Sequence, residues 1–261
     1  MVMKLEELIH GLDGLEEYEI RGNAEAEIGH LSLDNRKCVK NSLFFAIRGL
    51  ETDGHKYIAG AAKNGASAAV VEEFTQDEIT QIKVPDSRRA MSLIAAQFYN
   101  RPAEGMSFIG VTGTNGKTSI TFMIRHALNK KGVSVGLIGT SGIFINGERQ
   151  NVNLKTSTTP DPIELQCILR AMRDRGVKSV VMEVTAQALY LRKVEGIVFD
   201  VGVFTNLTQD HLEFFGDMET YAAAKLKLFE PGRCKNAVVN IDDQLGRRAA
   251  AGAVSYALER S

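Results

Sequence analysis

Apolar and polar positions alternate along this chain in two textures. Up to about residue 102, short apolar stretches are interleaved with helical patterns. Residues 42–47 (SLFFAI) and 68–72 (AAVVE) read as strands. Residues 87–99 read as an amphipathic helix with Met91, Ile94, Ala95 and Phe98 on one face. Asn100-Arg101-Pro102 breaks that helix, because a residue before proline avoids the helical region. A domain boundary is expected there, with one domain over 1–102 and a second over 103–261.

The second texture is a regular alternation of strand and helix. Apolar strands are expected at 108–111, 133–138, 177–184, 199–204 and 237–241. Helices are expected at 117–131 and 162–175, the latter stopped by Gly176. Apolar strands separated by amphipathic helices predict an α/β fold, a mostly parallel sheet covered on both faces. A small α/β domain precedes it. In such sheets ligands sit at the carboxyl ends of the strands, so the chemistry should be sought there.

Composition narrows the function classes. The chain has 261 residues, 44% hydrophobic and 24% charged, which is enough apolar material for a real core. The formal net charge is -1, so no basic field favours nucleic acid or an anionic membrane. Any polyanion must be held by a local site. Cys38, Cys167 and Cys234 have neither metal-ligand nor redox spacing and read as reduced thiols. The first residues turn amphipathic at once, without an apolar run suited to a signal peptide or a membrane span. A cytoplasmic protein is expected, with no nucleic-acid partner and no membrane insertion.

One segment carries explicit chemistry. Gly113, Thr114, Asn115, Gly116, Lys117, Thr118 and Ser119 lie between an expected strand and an expected helix. Glycines let the backbone bend so that its N–H groups point at a phosphate, and the helix N-terminus adds favourable partial charge. Lys117 would reach the outer phosphates and Thr118 would ligate Mg²⁺. The spacing is a short form of the phosphate loop, T-G-T-N-G-K-T. Glu183 ends an apolar strand; taken alone it reads as a solvated strand-end acid, but with the phosphate loop present its carboxylate is expected to face the nucleotide and serve the same metal.

That short loop resembles the ATP loop of the Mur ligases and of their relative folylpolyglutamate synthase. Further motifs select the tripeptide-forming branch of the Mur ligases: 157–162 (STTPDP), 182–189 (MEVTAQAL), 199–213 (FDVGVFTNLTQDHLE) and 221–229 (YAAAKLKLF). In the first domain, 33–37 (LDNRK), 44–49 (FFAIRG) and 53–55 (DGH) are similar to that branch's uridine-nucleotide-binding domain.

The resemblance implies an ATP-dependent amide ligase of peptidoglycan precursor synthesis. The D-glutamyl carboxylate of UDP-N-acetylmuramoyl-L-alanyl-D-glutamate would react with ATP to give an acyl phosphate. The amine of a diamino acid, meso-diaminopimelate or L-lysine, would then displace phosphate. The resemblance also assigns roles. Lys117 and a carbamylated Lys225 are implied as catalytic, and Asn206 lies near the adenine. Thr118, Glu183, His211 and Lys225 are the implied metal set, with His211 helping to hold a second Mg²⁺. Thr158, Thr159, Thr185, Arg192 and Lys193 would meet the sugar-peptide, and Asn35 the uridine nucleotide. Without the resemblance, Lys225 reads as a solvated helix lysine, His211 as a loop histidine, and Thr158 with Thr159 as a capping turn before Pro162.

The chain departs from the family pattern at Ala186, Gln187, Lys193 and Phe215, all on the sugar-peptide side. Family members are longer, and carry a third domain for the incoming amino acid. The resemblance therefore implies that the chain stops inside the central domain, with a monomer expected for the complete enzyme. A second reading stays open at this point: a non-catalytic, nucleotide- or precursor-binding remnant of such a ligase.

Overall fold

The computed structural model describes residues 2–12, 17–49, 52–151, 158–249 and 252–257. Ser157, the first residue of the STTPDP motif, lies outside them, as do residues 258–261. The chain divides into two compact units, Met1–Arg101 and Pro102–Ser261.

The first unit holds strands β1 (Met3–Lys4), β2 (Glu19–Arg21), β3 (Glu27–Ile28), β4 (His30–Ser32), β5 (Ser42–Phe45), β6 (Ala66–Val71) and β7 (Thr80–Lys83). Its helices are α1 (Leu5–Ile9), α2 (Ile58–Lys63) and α3 (Ser87–Phe98). Five strands form one sheet in the order β2-β7-β6-β5-β4, with β4 to β7 parallel and β2 antiparallel at the edge. The remaining two, β1 and β3, pair antiparallel by themselves. The expected face of α3 is the buried one: Met91, Ile94, Ala95 and Phe98 all pack inward. Asp86 starts this helix by accepting from the N–H groups of Arg88 and Arg89, at 3.0 and 2.9 Å.

The second unit is built on β8 (Ser107–Thr112), β9 (Val135–Gly139), β10 (Gly142–Ile145), β11 (Glu148–Gln150), β12 (Ser179–Glu183), β13 (Phe199–Phe204), β14 (Cys234–Asn240) and β15 (Val254–Tyr256). Its helices are α4 (Lys117–Lys130), α5 (Pro162–Asp174), α6 (Ala186–Tyr190), α7 (Leu212–Phe215), α8 (Met218–Leu226) and α9 (Gln244–Ala249). The strand order is β11-β10-β9-β12-β8-β13-β14-β15. All neighbours from β9 to β15 are parallel, and β10 with β11 forms an antiparallel extension. The expected α/β class is therefore the observed one. Phe108, Leu165, Leu169, Met172, Val180 and Phe199 belong to the main core cluster of this unit.

The order explains where a ligand can go. From β8 the chain crosses over to β9, returns to β12 beside β8, and then crosses to β13 on the other side of β8. Loops leaving β8 and its two neighbours thus open at the carboxyl edge where the winding changes direction.

Candidate nucleotide and metal site

The loop after β8 is tied down from both sides. Gly113 has φ 142° and Gly116 has φ 84°, backbone conformations that side chains rarely adopt. A Cβ on Gly113 would come within 1.9 Å of Thr205 Oγ1, so this position needs glycine for space as well as for angle. The loop backbone is braced by the segment after β13. Thr114 N donates to Asn206 O at 2.8 Å, and Asn115 N to Asn206 Oδ1 at 3.0 Å. Thr205 Oγ1 donates to Asn115 O at 2.7 Å. Asn206, expected near adenine, thus uses its carboxamide oxygen to brace the loop.

Lys117 opens α4 and folds back over the loop. Its ammonium donates to Gly113 O and Thr114 O, both at 2.9 Å. Among the described residues, no carboxylate lies within ion-pair distance of it. Burial pushes its pKa down, opposed by the charges of Glu183 and Asp210. A desolvated cation whose hydrogen bonds go to neutral carbonyls is suited to receive a phosphate.

Glu183, the last residue of β12, is 1% exposed. Its carboxylate accepts three bonds: from Thr118 Oγ1 at 2.9 Å and Thr140 N at 3.0 Å on Oε1, and from Thr140 Oγ1 at 3.2 Å on Oε2. A buried carboxylate beside a threonine hydroxyl is a hard oxygen pair of the kind Mg²⁺ takes, so these residues fit the implied ion. Among the described residues, no cluster of three or more His, Cys, Asp or Glu is placed to hold a metal.

Lys225 departs most from the sequence pattern. A helix lysine should be solvated; this one, on α8, is 1% exposed. Its Nζ lies 4.3 Å from the centre of the Tyr221 ring. Burial, helped by the charge of Lys117 and opposed by Asp210, brings its pKa down from 10.5 to about 7. Tyr221 is itself buried, which pushes its phenol pKa up, and its hydroxyl sits 3.3 Å from Thr114 Oγ1. One buried tyrosine therefore joins the phosphate loop to the lysine helix.

His211 has φ 52°, an uncommon left-handed conformation for a non-glycine residue, and is exposed. Its ring meets Tyr221 edge-on at 6.2 Å between centroids, and Asp210 and Glu213 lie 3.5 and 3.6 Å from its nitrogens. Loop lysine, helix lysine and loop histidine thus share one neighbourhood through Tyr221 and Asp210, and the strand glutamate acts on the loop lysine by charge.

The residues expected to meet the sugar-peptide are arranged less freely. Thr159 is 3% exposed; its hydroxyl donates to Glu183 O at 2.9 Å and accepts from Thr185 N at 3.2 Å. It links α5 to β12 rather than presenting a hydroxyl outward. Thr158 lies 3.0 Å, oxygen to oxygen, from Thr140. Neither threonine caps the helix at Pro162; Asp161 is its N-cap, without a side-chain bond. Thr185 caps α6, accepting from Ala188 N at 3.1 Å. Lys193 pairs with Asp161 at 2.8 Å, and Arg192, at φ 56°, pairs with Glu195 at 3.5 Å. Phe215, the departure from the family's histidine, is buried with Ala186, Tyr221 and Ala224. Asn35 belongs to the first unit, in a short turn capped by Asp34, and its carbonyl accepts from Asn64 Nδ2 at 2.9 Å. Thr140, Asp210 and Tyr221 are the residues that the sequence reading left without a role.

Both units match family models of known proteins. Residues 111–259 match the Mur ligase middle domain, and residues 27–99 match a domain described as Mur ligase family, catalytic domain. The chain is 44% identical over 252 residues to a UDP-N-acetylmuramoyl-L-alanyl-D-glutamate--2,6-diaminopimelate ligase of Clostridium tetani, covering 94% of this chain and 50% of that protein. The protein of the same name from Clostridioides difficile is 44% identical over 247 residues, with 94% and 50% covered. A solved structure of a ligase so named superposes with TM-score 0.80 at 26% identity, covering 100% of this chain and 53% of that one. The chain spans about half the length of the curated relatives it matches.

Proposed function

The chain belongs to the Mur ligase family, and on that premise we propose that it supplies the nucleotide-handling part of an ATP-dependent amide ligase. The proposed reaction joins a diamino acid to the D-glutamyl carboxylate of UDP-N-acetylmuramoyl-L-alanyl-D-glutamate. The relatives reported above are named for 2,6-diaminopimelate, which favours that amine over L-lysine. In this reading the first unit, with Asn35, takes the uridine nucleotide, and the protein works in the cytoplasm as a monomer.

The observation that carries the reading is the loop 113–119 with its buried partner Glu183. Lys117, held 2.9 Å from two loop carbonyls, would turn to the outer phosphates, and the N–H groups opening α4 would cradle them. Thr118 and Glu183 would hold Mg²⁺, with His211 and Lys225 toward a second ion. Mg²⁺, when bound, neutralises developing charge on phosphate oxygens. Lys225 would enter as a carbamate. With its pKa near 7, a sizeable fraction is the neutral amine at neutral pH. That neutral amine would add CO₂ and release one proton, giving an anionic oxygen ligand; counted from the ammonium, two protons leave. Thr158, Thr185, Arg192 and Lys193 stand on the side where the sugar-peptide is proposed to lie; Thr159 would act through the backbone it holds.

The test uses a polypeptide in which this sequence is continued to the length of its relatives. Supplied with ATP, Mg²⁺, the UDP-muramoyl dipeptide and 2,6-diaminopimelate, it should yield tripeptide by mass, with one phosphate released per product. ATP binding with neither hydrolysis nor tripeptide would instead favour a non-catalytic, nucleotide-binding remnant.

A further inference from the structure

Thr140 follows β9 and is exposed, yet its side chain and backbone both turn to a carboxylate that is 1% exposed. Its hydroxyl touches two groups, Glu183 Oε2 at 3.2 Å and Thr158 Oγ1 at 3.0 Å. A threonine hydroxyl has one proton and two lone pairs. An ionised carboxylate only accepts, so the proton of Thr140 is drawn to Glu183. Toward Thr158, Thr140 then offers a lone pair, and Thr158 must donate. The chain has a direction: Thr158 to Thr140 to Glu183.

The far end of this chain is Thr158, next to the Thr159–Thr185 link. The near end is the carboxylate that also receives Thr118, the hydroxyl opening α4 from the phosphate loop. From this juxtaposition we infer that Thr140 is a positioning residue that couples the metal carboxylate to Thr158. It holds Glu183 by both oxygens. It also sets which way Thr158 points its proton: inward, to the Thr140 oxygen. The inference rests on the reading of Glu183 as a metal ligand; it adds a residue and a direction that the phosphate loop does not require.

Thr140 is exposed, so Thr140→Val keeps the β-branched shape and lets water solvate what it leaves. ATP binding to this chain is measured by calorimetry with Mg²⁺ and again with EDTA, for wild type, Thr140→Val, Thr140→Ser, Thr158→Val and the Thr140→Val/Thr158→Val pair. Hydrogen bonds to charged groups are worth enough to predict a loss of roughly tenfold in the Mg²⁺-dependent gain in affinity for Thr140→Val. Mg²⁺-free binding should hardly move, and Thr140→Ser should retain the gain. In the Thr140→Val background, Thr158→Val should add nothing, as expected for two links of one chain. An undiminished gain in Thr140→Val overturns the inference. So do an equal loss with and without Mg²⁺, which marks a structural role, and additive losses in the pair. Failure of wild type to bind ATP at all overturns the ligase reading itself, and this inference with it.

Discussion

At the residue scale, Lys225 separates what a pattern can give from what only packing gives. Its motif, 221–229, was matched by resemblance, but its spacing on a helix predicts a solvated cation. The structure buries it under Tyr221, and the consequence is measurable. Unfolded, the lysine keeps its proton to about pH 10.5; folded, only to about 7. Between these values the unfolded state binds more protons, so stability rises with pH. Below about pH 7 both states are charged and the full burial penalty applies. In CO₂-free buffer with EDTA, the contribution of Lys225 to wild-type stability should climb by on the order of 4 kcal/mol from pH 7 to pH 10.5. Lys225→Met should be more stable than wild type at pH 7, and the difference should shrink toward pH 10.5. Denaturant titrations across this range check it; parallel curves would show that the lysine is not desolvated.

At the element scale, the long periodic segments were legible and the short ones were not. Helices α3 and α5 and strands β8, β12 and β13 lie where periodicity put them, because each buries apolar side chains; α4 also lies where it was expected, although Thr121 is its one buried residue. The β10–β11 hairpin escaped. Its turn, Asn146-Gly147, has φ 51° and 94°, the two-residue turn that suits a hairpin, but β11 reads Glu148-Arg149-Gln150 and carries no apolar signal. Thr140 was missed for a related reason: it stands just after β9, and its meaning comes from β12, a strand over forty residues away in sequence. The close approach of those two strands makes its own prediction. A Cβ on Gly139, at the end of β9, would lie 2.3 Å from Glu183 Oε1. Gly139→Ala must therefore displace the carboxylate. We expect the Mg²⁺-dependent part of nucleotide affinity to fall by about tenfold or more, as when a charged hydrogen-bonded group loses its place. Calorimetry with and without Mg²⁺ checks it, and retained Mg²⁺ dependence would show that Glu183 does not face the ion.

At the scale of the whole chain, alternation of strand and helix predicted a mostly parallel sheet but not its order. The return of β12 between β8 and β9 is a non-local pairing that periodicity does not encode; only the winding rule, applied after the fact, explains why the loops converge there. The sugar-peptide side was the least legible, since Thr159, Thr185 and Lys193 carry bonds within the chain that their motifs do not announce. If the loop after β8 is an ATP site with Mg²⁺ at Glu183, titrating ATP with Mg²⁺ into this chain and into Lys117→Ala tests it most directly. Wild type should show saturable one-site binding. Loss of a buried, charge-assisted phosphate contact should weaken Lys117→Ala by roughly tenfold to a hundredfold. Equal affinity in the two proteins would contradict it.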